Sequence, residues 1–192
     1  MIFGSGIIRG MFVTLKNFAT SYFRKPDEGG LFTVEYPEKR IPLKERFRSF
    51  PFLVYDGTPE NLRCTACDIC ARECPPKCIY VVRAADQDGR PLRRPAAFTI
   101  DYSVCMNCGM CEEVCPFDSI FMDHEFEIAS QDRYRELVYT LTKLLKSNEY
   151  FNNIRPRDAQ AVDKKRREAE EKKKLAAAQA AKPKLDEPPK PV

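Results

Sequence analysis

The clearest apolar pattern lies at the start of the chain. Phe3, Ile7, Ile8, Met11, Phe12, Leu15, Phe18, Ala19, Tyr22 and Phe23 recur at i, i+3, i+4 and i+7 spacing, which predicts a helix over 1–25 with one broad apolar face. Arg9, Lys16, Asn17, Arg24 and Lys25 fall off that face. Pro26-Asp27-Glu28-Gly29-Gly30 then separates the helix from the rest of the chain, so its face is expected to meet a membrane surface or a hydrophobic partner and not a core of its own. Residues 26–51 mix aromatics and charges with Pro37, Pro42 and Pro51, the pattern of an extended surface segment.

Further along, the apolar runs shorten and the period changes. Phe52-Leu53-Val54-Tyr55, Ile79-Tyr80-Val81-Val82, Phe98-Thr99-Ile100 and Ile120-Phe121-Met122 have the length and composition of strands. The stretch "RAADQDGRPLRRPAAF", with Asp88-Gly89, Pro91 and Pro95, reads as a turn-rich loop between them. Tyr134, Leu137, Val138, Leu141, Leu144 and Leu145 return to helical spacing and predict an amphipathic helix over 131–155. Residues 157–181 are strong helix formers without an apolar face, and "KPKLDEPPKPV" reads as disordered; 156–192 is therefore a charged, solvated tail. Short strands with few helices predict an α+β domain over 52–130.

Charge sharpens this division. The net charge is +4, yet residues 101–132 contain no Lys or Arg and eight acidic residues, while 155–192 hold twelve Lys and Arg against seven Asp and Glu. The tail's charges alternate in sign and carry no interleaved aromatics, so no nucleic-acid partner is expected. No stretch approaches the roughly 20 apolar residues of a membrane span, and no secretory leader is evident at the start.

Nine cysteines, about 5% of the chain, fall below the roughly 8–10% of disulfide scaffolds, which places the thiols in a reducing compartment. Eight of them form a repeat. Cys64-x2-Cys67-x2-Cys70-x3-Cys74-Pro75 recurs as Cys105-x2-Cys108-x2-Cys111-x3-Cys115-Pro116, displaced by 41 positions, and Ile79 falls on Ile120. Two matched half-domains about a pseudo-twofold axis, with two matched sites, are expected.

Three thiolates at this spacing can wrap three corners of an iron–sulfide cube, and in runs of this type the fourth cysteine ligates the other cluster. Cys64, Cys67, Cys70 and Cys115 are thus expected to hold one [4Fe-4S] cluster, and Cys105, Cys108, Cys111 and Cys74 the other. Structural zinc usually takes two CxxC pairs on a longer finger and leaves the third close thiol and the trailing proline unexplained. Disulfides conflict with the compartment. Cys78 falls on Ser119 under the offset and reads as a packed free thiol. His124, the single histidine, reads as a surface or core residue. Arg63, Arg72 and Lys77 flank the first motif, whereas Glu112, Glu113 and Asp118 surround the second, which predicts a lower potential for the second cluster.

With these motifs, the long gap between them, the N-terminal helix, "TVEYPEKR", "RFRSFP" and "DRYRELVYT", the chain resembles subunit I of NADH:quinone oxidoreductase, the two-cluster ferredoxin-like subunit of respiratory complex I, over about Ile7 to Arg155. The resemblance implies a peripheral membrane protein on the cytoplasmic side of the bacterial inner membrane, with other subunits of the peripheral and membrane arms as partners. Electrons from NADH would arrive through upstream clusters, cross these two and continue toward a terminal cluster and quinone, with no small-molecule substrate bound by this chain. The eight cysteines match the family's ligands position for position; Cys78 and the tail after Arg155 lie outside the match. A subunit of a related membrane hydrogenase or of an oxidoreductase using another reduced cofactor shares the motifs, and a free ferredoxin is the remaining alternative.

Overall fold

A computed structural model describes residues 4–24 and 34–180. Phe3, the Pro26–Gly30 break and the end of the tail from 181 lie outside the described residues.

The first unit, up to Leu43, is the helix α1 (Ser5–Phe23) followed by irregular chain over its described residues. None of α1's residues is buried, and Ile8, Phe12, Leu15 and Phe18 are each about 60–70% exposed. Among the described residues no helix is long and apolar enough to cross a membrane.

The second unit begins at Lys44. Its first strand, β1 (Pro51–Tyr55), pairs antiparallel with β4 (Ile120–Met122), the strand after the second cysteine motif. The strand after the first motif, β2 (Ile79–Ala85), pairs antiparallel with β3 (Pro91–Asp101), which leads into the second. Each half thus lends a strand to the other's sheet, and the two sets of cysteines are held between the two sheets. A one-turn helix closes each cysteine loop: α2 (Ile69–Glu73) and α3 (Met110–Glu113).

Strand alternation divides the core in two. Leu53, Ile120 and Met122 point toward the cysteines, with Ile79, Phe98 and Ile100 from the second sheet. Phe52, Val54 and Phe121 point the other way, onto Phe151 and Ala159. Phe121 and Phe151 stack with ring centroids 4.0 Å apart.

Three expectations are corrected by the fold. The segment 83–98 is not a loop: β2 and β3 run on as a hairpin closed at Asp86–Arg90, where Gly89 adopts φ +75°. Residues 131–155 are not one helix. They form a π-helical turn (Arg133–Leu137), β5 (Val138–Thr140), the helical turn α4 (Leu141–Leu144), β6 (Leu145–Ser147) and α5 (Asn148–Ile154). β5 extends the second sheet antiparallel to β3, and β6 extends the first parallel to β1. The tail is helical as expected, in α6 (Pro156–Ala180), but its opening turns are packed: Ala159 is fully buried and Val162 lies against the same cluster.

Candidate metal centre

The cysteine loops fold alike because their backbones turn left at the same places. Ala66 and Asn107 have φ +54° and +51°, Asp68 and Gly109 +65° and +78°, and Lys77 and Asp118 +54° and +48°, each pair 41 residues apart. Residues with side chains seldom enter this region, and a repeated departure of this kind marks a built feature. Only Gly109 announced it in the sequence. There the space is tight too, since a Cβ would come within 3.1 Å of Arg48 Nε, whose Nη1 donates to the Cys108 carbonyl at 2.8 Å.

These turns aim amides at the thiols. The backbone N–H groups of Ala66 and Asn107 lie near Cys64 and Cys105, and those of Ala71 and Glu112 near Cys70 and Cys111, each lowering its thiol's pKa. Ser119 N–H lies 3.4 Å from Cys115 Sγ. Hydrogen bonds of this sort favour the thiolate.

The eight cysteines separate into two groups. One cavity is lined by Cys64, Cys67, Cys70 and Cys115, with Leu53, Val81, Phe98 and Ile120 as apolar wall. The other is lined by Cys74, Cys105, Cys108 and Cys111, with Pro75, Pro76 and Met122. The two cavities are alike in size, as matched halves require. Both quartets take three thiols from one loop and the fourth from the other. Among the described residues no three Cys, His, Asp or Glu side chains meet at a single-ion site; the thiols ring a space, as a polynuclear cluster asks.

The electrostatics ask for positive charge inside. Burial, followed by the neighbouring thiols Cys64, Cys115 and Cys67, pushes Cys70 up to about 12. Burial and nearby cysteines likewise raise Cys64 and Cys111. Buried thiols this close together resist ionising side by side, and bound metal would invert that balance. The donor set therefore fits an iron–sulfur cluster in each cavity.

Cys78 is buried, as expected of a packed thiol, but it does more than fill space: its Sγ lies 3.5 Å from Cys74 Sγ and lines the second cavity beside Cys105. The 41-residue offset, which set it opposite Ser119, was the signal for this. His124 is half-buried, with Nε2 3.1 Å from the Glu45 carbonyl, away from both quartets.

The expected lower potential of the second cluster loses the acidic half of its basis, while Arg72 and Lys77 beside the first motif meet no carboxylate among the described residues. Glu112 is paired with Arg155 at 2.9 Å, Glu113 with Arg48 at 2.9 Å, and Asp118 with Lys165 at 2.9 Å. Near the first motif, Arg63 is in turn paired with Asp56 and Asp163.

The family model described as a 4Fe-4S dicluster domain matches residues 63–119. The chain is 40% identical to NADH-quinone oxidoreductase subunit I 2 of Streptomyces coelicolor, over 73% of this chain and 68% of that protein. It is 32% identical to the subunit I 2 of Geobacter metallireducens, over 72% of this chain and 95% of that one. The chain belongs to the NADH-quinone oxidoreductase subunit I family. Subunit I of Pseudomonas putida is 38% identical over 72% of this chain and 73% of its own length. A chain of the membrane-bound sulfane sulfur reductase, an archaeal respiratory membrane complex, is 24% identical with a TM-score of 0.42, too loose a likeness to argue from. Members of the subunit I family are iron–sulfur electron-transfer subunits of an oxidoreductase complex, and the α+β dicluster domain here is of that kind.

Proposed function

We propose that the chain carries electrons through two [4Fe-4S] clusters within an NADH:quinone oxidoreductase, receiving them from clusters on other subunits and passing them toward a terminal cluster and quinone. Cys64, Cys67, Cys70 and Cys115 hold one cluster, and Cys105, Cys108, Cys111 and Cys74 the other. The observation that carries this reading is the crossed sorting of eight thiols into two cavities.

When bound, each cluster supplies a one-electron carrier. The chain's own residues do the rest. The left-handed turns hold thiols and amides in place, so that charge changes at the sulfurs meet fixed donors. Leu53, Val81, Phe98 and Ile120 keep water from the first cavity. The crossing cysteines, each on a chain segment leading from one loop into the other's cavity, lock the halves together. Outside this domain, the exposed apolar face of α1, flanked by Arg9 and Lys16, suits attachment at the cytoplasmic membrane surface beside the membrane arm.

Single ligand exchanges test the crossing. Cys74→Ser is expected to alter the same paramagnetic signal as Cys105→Ser, and Cys115→Ser the same signal as Cys64→Ser, in anaerobically prepared complex. Cys74→Ser affecting the signal that Cys64→Ser affects would overturn the assignment.

A further inference from the structure

The offset that relates the two motifs also relates Ser119 to Cys78, and the two side chains hold matching positions. Ser119 lines the first cavity and Cys78 the second; each is 2% exposed. Ser119 lies beside Cys64 as Cys78 lies beside Cys105, and Cys64 and Cys105 are themselves one repeat apart. The Ser119 backbone N–H faces the same quartet, 3.4 Å from Cys115 Sγ. Yet Ser119 Oγ is buried without a partner at hydrogen-bonding geometry. A buried hydroxyl is rarely left so, and its neighbours in the wall, Leu53 and Ile120, accept nothing. The acceptors left to it are Cys64 and whatever the cavity holds.

We infer that Ser119 donates its hydroxyl proton to the cluster of the first quartet, at a sulfide or at the Cys64 thiolate, while Cys78 makes the weaker S–H contact at the matching point of the second. The inference rests on the quartets being cluster sites. It deepens that reading by making these two side chains independent controls on the two potentials. No bond is made or broken: a donor binds the reduced, more negative cluster more strongly than the oxidised one, and so raises its potential. A hydroxyl is the stronger donor of the two.

The test uses the full-length chain loaded anaerobically with iron and sulfide in deuterated or ordinary buffer, titrated with dithionite and redox mediators, and followed by paramagnetic resonance. Ser119→Ala is expected to weaken the one-electron reduction of one cluster by roughly tenfold, about 59 mV, leave the other where it was, and remove one exchangeable proton coupling from the shifted signal. Cys78→Ser should raise the other potential by a comparable amount. Ser119→Cys should move the first cluster in the same direction as Ser119→Ala but less far. Potentials unmoved in fully loaded variants, or both clusters shifting together in Ser119→Ala, would overturn the inference alone. A parent chain that does not take up iron and sulfide for both quartets fails the quartet reading itself, and this one with it.

Discussion

Replacing Arg155 by methionine removes one charge from a site where little water can compensate. The Arg155 side chain is 6% exposed, lies between Glu112 at 2.9 Å and Asp158 at 2.7 Å, and packs its guanidinium 5.9 Å from the centre of the Phe121 ring. Glu112 is itself mostly buried and also accepts from the Met122 N–H at 3.0 Å, so it joins α3, β4 and the start of α6. Removing one partner of such a pair strands the other charge and costs about 3–5 kcal/mol, whereas removing both is far milder. Release of the cluster makes unfolding irreversible, so the quantity to measure is a rate: loss of visible absorbance of the iron-loaded chain in fixed urea under argon. At about 1.4 kcal/mol per factor of ten, Arg155→Met is expected to accelerate bleaching by about a hundredfold to a few thousandfold if the whole loss falls on the unfolding barrier. Arg155→Met with Glu112→Gln should recover most of it, because the neutral amide still accepts from Met122. The reasoning is refuted if Arg155→Met bleaches within threefold of the parent, or if the double variant is as fast as the single one.

Phe151→Ala probes the same face without charge. Phe151 is fully buried between Phe121 and Phe52, so truncation should cost about 3–5 kcal/mol in the same bleaching assay and Phe151→Leu much less; equal rates for parent and Phe151→Ala would mean that α5 is not part of the folded unit. Deleting residues 1–23 removes a helix whose apolar face has no partner among the described residues and two cations beside it. The shortened chain is expected to keep both paramagnetic signals while losing co-sedimentation with anionic lipid vesicles, and undiminished vesicle binding would place the membrane contact elsewhere.

The sequence exposed what side-chain pattern encodes and hid what backbone demand decides. Four strands and eight thiols were legible because alternation and spacing are properties of the residues themselves. The segment 131–155 misled because Leu137, Leu141, Leu144 and Leu145 satisfy a helical period, while both sheets offered an unpaired edge, β3 at Thr99–Asp101 and β1 at Leu53–Tyr55, which the chain then satisfied with β5 and β6. The hairpin was hidden by Pro91 and Pro95, which argue against a central strand. They are tolerated because β5 pairs only with residues 99–101, leaving the rest of β3 an edge, and because Pro95 faces Arg83 where the register slips. Four of the five left-handed non-glycine turn residues that shape the cysteine loops are polar or charged and the fifth is Ala66, so composition alone could not reveal them.

Electrostatic expectations fail for a related reason. Counting Glu112, Glu113 and Asp118 beside the second motif treats neighbours in sequence as neighbours in field, but each acid is met by a cation from outside the motif: Arg155, Arg48 and Lys165. Lys165 comes from the charged tail and Arg155 immediately precedes it, and Asp163 of α6 reaches back to Arg63 beside the first motif. Residues 155–166 therefore act as a clasp over both halves, and what looked like a solvated appendage neutralises part of the charge around the cysteine loops. With these three acids cancelled locally, short-range differences between the two cavities gain weight. A hydroxyl in one, where the other has a thiol, is a difference that the repeat does not average away.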